Sequence, residues 1–143
     1  MADTPRLIGI VDDEGSLRVA LCRLCNVYGL HPRAFASAQL LFDAILDGSR
    51  FDCLILDVQM PGAGGLDILQ WLQDHGYRIP AVMITGREDD QMRARSFVLG
   101  ARAYLFKPVE ADVLLRAVRD AIESPPDRSG VSPSSRAVSP PGL

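Results

Sequence analysis

Cys53-Leu54-Ile55-Leu56-Asp57 is a run of four apolar residues that stops on an acid. A segment that is apolar on both faces suits a strand covered on both sides, the usual state of parallel sheets flanked by helices. Two more runs share this character. Leu7-Ile8-Gly9-Ile10-Val11 leads into Asp12-Asp13, and Ala81-Val82-Met83-Ile84 leads into Thr85. Leu30 to Phe35 and Ala103 to Phe106 are shorter strand candidates, the last ending in Lys107-Pro108.

Amphipathic stretches fill the gaps. Ser16 to Tyr28 sets Leu17, Leu21 and Leu24 on one stripe and stops at Gly29. Ser37 is placed to cap a helix carrying Ala38, Leu41, Phe42 and Ile45, with Gly48 past its end. Leu66, Leu69 and Leu72 recur before Gly76. Residues 89–99 form the weakest pattern, with Met92, Ser96 and Leu99 as the inner face and Gly100 as the stop. Leu114, Ala117, Val118, Ala121 and Ile122 give the firmest helix. Five βα units predict an α/β fold, a doubly wound, flavodoxin-like parallel sheet of five strands with five helices. Pro32 lies in the second strand, and proline is tolerated mainly at sheet edges. Strand order 2-1-3-4-5 puts that strand at an edge.

Composition bounds the rest. The 143 residues suit one domain, and 48% apolar with 23% charged residues describes a globular protein with a core. Fifteen basic against eighteen acidic residues, net −3, argue against nucleic-acid binding by bulk charge. No apolar run approaches the roughly 18 residues of a membrane span. Three cysteines and no secretory leader point to a reducing cytoplasm rather than a disulfide framework. After Glu123 the composition changes: Ser124 to Leu143 holds five Pro, six Ser and two Gly. Residues 5–123 are therefore read as the domain and 124–143 as a flexible tail.

The fold places ligands beyond the carboxyl ends of the strands. Asp12, Asp13, Asp57, Thr85 and Lys107 all fall on that rim. Two like charges ~4 Å apart repel by about 4 kcal/mol at an effective dielectric near 20. Three carboxylates thus need compensation. Lys107 supplies one positive charge and a divalent cation supplies two more, bringing the formal sum to zero. Hard oxygen ligands with a partly open shell suit Mg²⁺, which favours phosphate substrates. The set therefore points to phosphoryl chemistry, in which a carboxylate can itself be the acceptor.

The stretches IVDDEGSLR (10–18), LILDVQMPGAGGLD (54–67), VMITGRED (82–89) and GARAYLFKP (100–108) resemble the receiver domains of two-component response regulators. They are most similar to receivers joined to helix-turn-helix outputs, as in nitrogen-fixation regulators. The resemblance covers residues 5–123. It implies that Asp57 is the phosphoacceptor, and that Asp12 and Asp13 hold Mg²⁺ together with Asp57 and the backbone carbonyl of Gln59. It implies that Thr85 and Lys107 bind phosphoryl oxygens, that Tyr104 is an aromatic switch coupled to Thr85, and that the Lys107–Pro108 bond is cis. In such domains the positions of Gln59 and Arg87 tune the lifetime of the phosphoryl group. The expected donor is a sensor histidine kinase or a phosphotransfer protein. The expected output is contact with a downstream protein through the fourth helix, fifth strand and fifth helix, with homodimerisation left open. The expected enzymatic activity is at most self-phosphorylation and autodephosphorylation. Twenty residues after 123 are too few to hold the output domain such receivers usually carry, so DNA binding is not carried over, whether the receiver stands alone or the sequence is a fragment.

Competing readings attach to the same residues. Asp12 and Asp13 could cap the first helix. A phosphohydrolase with an Asp nucleophile would want an acid two residues after Asp57, where Gln59 stands. A phosphorylation-independent interaction or dimerisation module would have no need of the five rim residues. Cys22-x-x-Cys25 falls in mid-helix, away from the helix N-terminus that would lower a thiol pKa, so a redox role is rejected. His31 and His75 read as surface residues. Trp71, Phe97 and Val98 read as packing, with Phe97 and Val98 as a second choice for a partner surface.

Overall fold

A computed structural model describes residues 5–123. The predicted tail, 124–143, lies outside the described residues. In chain order the elements are β1 (Leu7–Val11), α1 (Gly15–Val27), β2 (His31–Phe35), α2 (Ala38–Leu46), β3 (Cys53–Asp57), α3 (Gly65–Asp74), β4 (Ala81–Thr85), α4 (Asp90–Val98), β5 (Ala101–Phe106) and α5 (Ala111–Glu123). All strand pairs are parallel, in the order β2-β1-β3-β4-β5. Pro32 sits in the edge strand, opposite Ile8, as the sheet order predicts.

Strands β3 and β4 are buried along their whole length, and β1 from Ile8 onward, because the pleat sends alternate residues into two cores. Cys53 and Ile55 join Ile8, Ile10, Val82 and Ile84 beneath Leu21, Cys25, Leu114 and Val118 of α1 and α5. Leu54 and Leu56 join Val11 and Met83 beneath Leu41, Ile45, Ile68 and Leu72 of α2 and α3. Among the described residues, no helix is long and apolar enough to cross a membrane.

Three details depart from the sequence reading, and a fourth removes a competing one. The α3 stripe runs through Ile68, Leu69 and Leu72, while Leu66 is only half-buried. Period three starting at Leu66 drifts off the core face, and Ile68 takes its place. β5 begins at Ala101 rather than Ala103, through a register irregularity opposite Ala81 and Val82. Val98 does not pack: it is 77% exposed, whereas Phe97 beside it is half-buried against the core. Helix α1 starts at Gly15 behind Glu14, whose side chain makes no capping bond, so neither Asp12 nor Asp13 is the N-cap.

Helix α4 is the least anchored of the five. Ser96 is its sole buried residue, and its hydroxyl donates to the Met92 carbonyl at 2.8 Å. The helix is held at its start by Asp89, whose carboxylate accepts from the N–H groups of Gln91 and Met92.

Candidate functional site

Each rim side chain is delivered by a strand end, and the strand ends are tied together. Beyond the strands the backbone continues to bond across: Asp12 N–H donates to Phe35 O, Val58 N–H to Ile84 O, and Lys107 N–H to Thr85 O at 2.8 Å. The Lys107–Pro108 bond is cis. The loop after β3 turns tightly back into α3. A Cβ on Gly64 would stand 2.3 Å from the Val58 carbonyl oxygen, and one on Gly65 would stand 2.9 Å from the Asp57 carbonyl oxygen. Only glycine lets α3 start this close to the end of β3. Asp67 then accepts the Gly64 N–H at 2.9 Å, holding the helix start.

Lys107 Nζ lies 3.3 Å from both Asp12 Oδ2 and Asp57 Oδ2. One ligand oxygen from each of Asp12, Asp13 and Asp57 falls within 4.8 Å of the others. Asp12 and Asp57 are buried while Asp13 faces solvent. Asp12 Oδ1 accepts the Glu14 N–H at 2.8 Å, and Asp57 Oδ1 accepts the Gln59 N–H at 3.1 Å. Arg18 of α1 donates to the backbone carbonyl of Asp12 at 2.7 Å.

Burial pushes the Asp57 carboxyl above its ordinary pKa, and the negative charge of Asp12 adds to the effect; the Gln59 N–H and Lys107 only partly oppose them. Burial works to lower the pKa of Lys107, but the attraction of Asp12 and Asp57 outweighs it and the ammonium is held charged.

The site contains three carboxylates and one ammonium, so negative charge is left over. Asp12 Oδ2 is buried and, although close to Lys107, has no aligned hydrogen bond. The one ammonium facing it is shared with Asp57 Oδ2, so the two buried carboxylates are left one positive charge short. An all-oxygen donor set with one solvent-facing member fits Mg²⁺.

Thr85 and Tyr104 stand on the neighbouring strands but are not engaged with the carboxylates. Thr85 is buried, and its Oγ1 accepts the Arg87 N–H at 3.2 Å and lies 3.3 Å from the Arg87 carbonyl, to which it donates. Tyr104 is buried beside Met83, and its hydroxyl has no hydrogen-bond partner. Burial, and then the charge of Asp89, push the phenol pKa up against the opposing influences of the Thr85 hydroxyl and Arg93.

The cysteines and histidines take no part. Burial raises Cys25 to about 11 and Cys53 to about 12, leaving inert thiols. Cys22 is raised as well, again by burial. His31 is exposed on the edge strand; His75 caps the end of α3 and stacks on Trp71 at 4.2 Å. Sequence reasoning missed Arg18. A basic residue one turn into an amphipathic helix looks like a solvated side chain, and nothing in its spacing announces a contact with the preceding strand end.

Residues 8–119 match the response regulator receiver domain family. The response regulator protein TodT of Pseudomonas putida is 34% identical over 133 residues, 93% of this chain and 58% of TodT. The transcriptional regulatory protein FixJ of Bradyrhizobium diazoefficiens is 33% identical over 115 residues, 80% of this chain and 56% of FixJ. The chain thus spans little more than half the length of these curated relatives. The crystal structure of FixJ-N superposes with a TM-score of 0.77 at 29% identity, covering 85% of this chain and 96% of that one. Acids, lysine and glycine turn lie on the rim of a 2-1-3-4-5 sheet, within a matched segment that spans nearly all of the described residues, and the chain belongs to the receiver domains of two-component response regulators.

Proposed function

We propose that Asp57 is the phosphoacceptor of this receiver, taking the phosphoryl group from a histidine of a sensor kinase or phosphotransfer protein. The observation that carries the reading is the position of Lys107 Nζ, 3.3 Å from both buried carboxylates. A carboxylate oxygen of Asp57 attacks phosphorus. The new O–P bond forms as the P–N bond of the phosphohistidine breaks, and the imidazole nitrogen keeps the electron pair. Asp12, Asp13, Asp57 and the Gln59 carbonyl would hold Mg²⁺, which when bound supplies positive charge to the phosphoryl oxygens. Lys107 holds a second positive charge between Asp57 and Asp12, 3.3 Å from an oxygen of each. The Gln59 N–H fixes Asp57 Oδ1 and so orients the carboxylate. Thr85 can donate to a phosphoryl oxygen only after its hydroxyl leaves the Arg87 carbonyl. That exchange supplies a route from the site to α4, β5 and α5, the surface through which a downstream protein would be controlled. The exchange of a few kcal/mol of contacts is enough to shift a two-state population. Three free thiols suit a reducing cytoplasm.

Incubation with Mg²⁺ and a small phosphodonor, followed by intact mass measurement, tests the reading. Gain of one phosphoryl group, lost in Asp57→Asn, supports it. Steady hydrolysis of many phosphoesters would favour a phosphohydrolase, and no adduct with no effect of Mg²⁺ would favour a phosphorylation-independent module; either outcome overturns it.

A further inference from the structure

We infer that Arg18 is a positioning residue for the acidic site, acting through the backbone carbonyl of Asp12. The inference rests on reading that site as a magnesium site. Asp12 lies one residue past the end of β1, and α1 does not begin until Gly15. The first carbonyl that the helix ladder uses is that of Glu14, which accepts the Arg18 N–H at 3.0 Å. The Asp12 carbonyl therefore falls between sheet and helix and would otherwise be left to water. Arg18 reaches back from the first turn of α1 and donates Nη1 to it at 2.7 Å, a short, charge-assisted bond.

This bond completes the restraint of one residue from four directions. The Asp12 N–H is held by Phe35 O of the edge strand, its carbonyl by Arg18, its Oδ1 by the Glu14 N–H, and its Oδ2 faces Lys107. The peptide that Arg18 grips joins Asp12 to Asp13. Its orientation sets where both carboxylates lie relative to Asp57, and all three offer oxygens within 4.8 Å. Partners that orient metal ligands typically cost about 10–100-fold in metal affinity when removed.

Charge alone predicts the opposite sign. Removing a guanidinium next to a cation site relieves repulsion and tightens cation binding. The direction of the change therefore separates the two effects. Calorimetric titration of the unphosphorylated chain with MgCl₂ is expected to show about tenfold weaker binding in Arg18→Met, with partial recovery in Arg18→Lys, which keeps a donor on a stem of similar length. The magnesium-induced rise in melting temperature is expected to shrink in the same order, whereas a merely structural role would lower the metal-free melting temperature and leave that rise intact. Unchanged or tighter binding in Arg18→Met overturns the inference. Should Arg18→Met not fold, a magnesium-induced rise in Arg18→Lys equal to the wild type's overturns it. If the wild-type chain itself binds no Mg²⁺, the magnesium reading falls and this inference with it; if the wild type binds and the variants match it, only the role of Arg18 falls.

Discussion

Burial opposes the charge of Asp57, and this gives its substitution a sign. Its pKa is raised in the fold, chiefly by burial. In the window between the ordinary carboxylate pKa and that raised value, the folded chain binds more protons than the unfolded one. Stability is therefore lost as pH rises through this window, and the loss is complete above it. Asp57→Asn carries no such penalty. In metal-free buffer the variant should melt higher than the wild type at neutral pH, and the gap should close as pH falls below the ordinary carboxylate range. Added Mg²⁺ should stabilise the wild type by mass action and the variant far less, reversing the order. Thermal melts with and without chelator, at several pH values, check both arms. Tyr104 offers a second test at this scale. Its hydroxyl is buried with no bond, a state that costs about 1–3 kcal/mol. Tyr104→Phe removes that hydroxyl and keeps the ring, so the unphosphorylated chain should gain up to about 1 kcal/mol in urea unfolding.

Between β3 and α3, one loop ties the site to the scaffold through close backbone contact. Gly64→Ala would drive a Cβ into the Val58 carbonyl, displacing the segment that carries Gln59 and costing about 1–3 kcal/mol. Gly48→Ala is the control. It has φ +105° and open space around it, and strain of about 1–2 kcal/mol with no contact to the rim. Both variants should lose stability, but only Gly64→Ala should slow phosphorylation by a small phosphodonor, read by intact mass over time. This loop also shows what sequence could and could not carry. MPGAGG announces a tight turn, and the acid before it announces the rim. The runs at Leu7, Cys53 and Ala81 announce buried parallel strands, and Pro32 marks the edge. These are local signals with one physical cause each. The inner face of α3 was misassigned because a spacing of three fits Leu66, Leu69 and Leu72 equally well, and only packing selects Ile68. Val98 was misassigned because an apolar residue in a weak helix carries no sign of the direction it faces. Arg18 was invisible because its partner is a backbone carbonyl, an atom every residue has.

Across the molecule, stability is distributed unevenly, and the uneven part adjoins the site. Strands β1, β3 and β4 are buried between two cores, while α4 buries Ser96 alone and leaves Val98 in solvent. Elements with little buried apolar contact open first and reposition most easily. The start of α4 depends on Asp89, three residues beyond Gly86, and the β4–α4 loop is latched by Thr85 to the backbone of Arg87. A phosphoryl group on Asp57 replaces one carboxylate charge by about −2 and adds acceptor oxygens that compete for the Thr85 hydroxyl. If Thr85 changes partners, the Arg87 carbonyl loses its donor, and the latch on α4 goes with it. Tyr104 is already buried beside Met83. Amide hydrogen exchange should therefore change within residues 86–106 when the chain is phosphorylated, while β1 and β3 remain protected to the same degree. Asp57→Asn treated with the same phosphodonor should show neither change. Exchange in 86–106 that is the same before and after phosphorylation would mean that the Thr85 latch does not transmit the charge, and that any output leaves through the rim loops themselves.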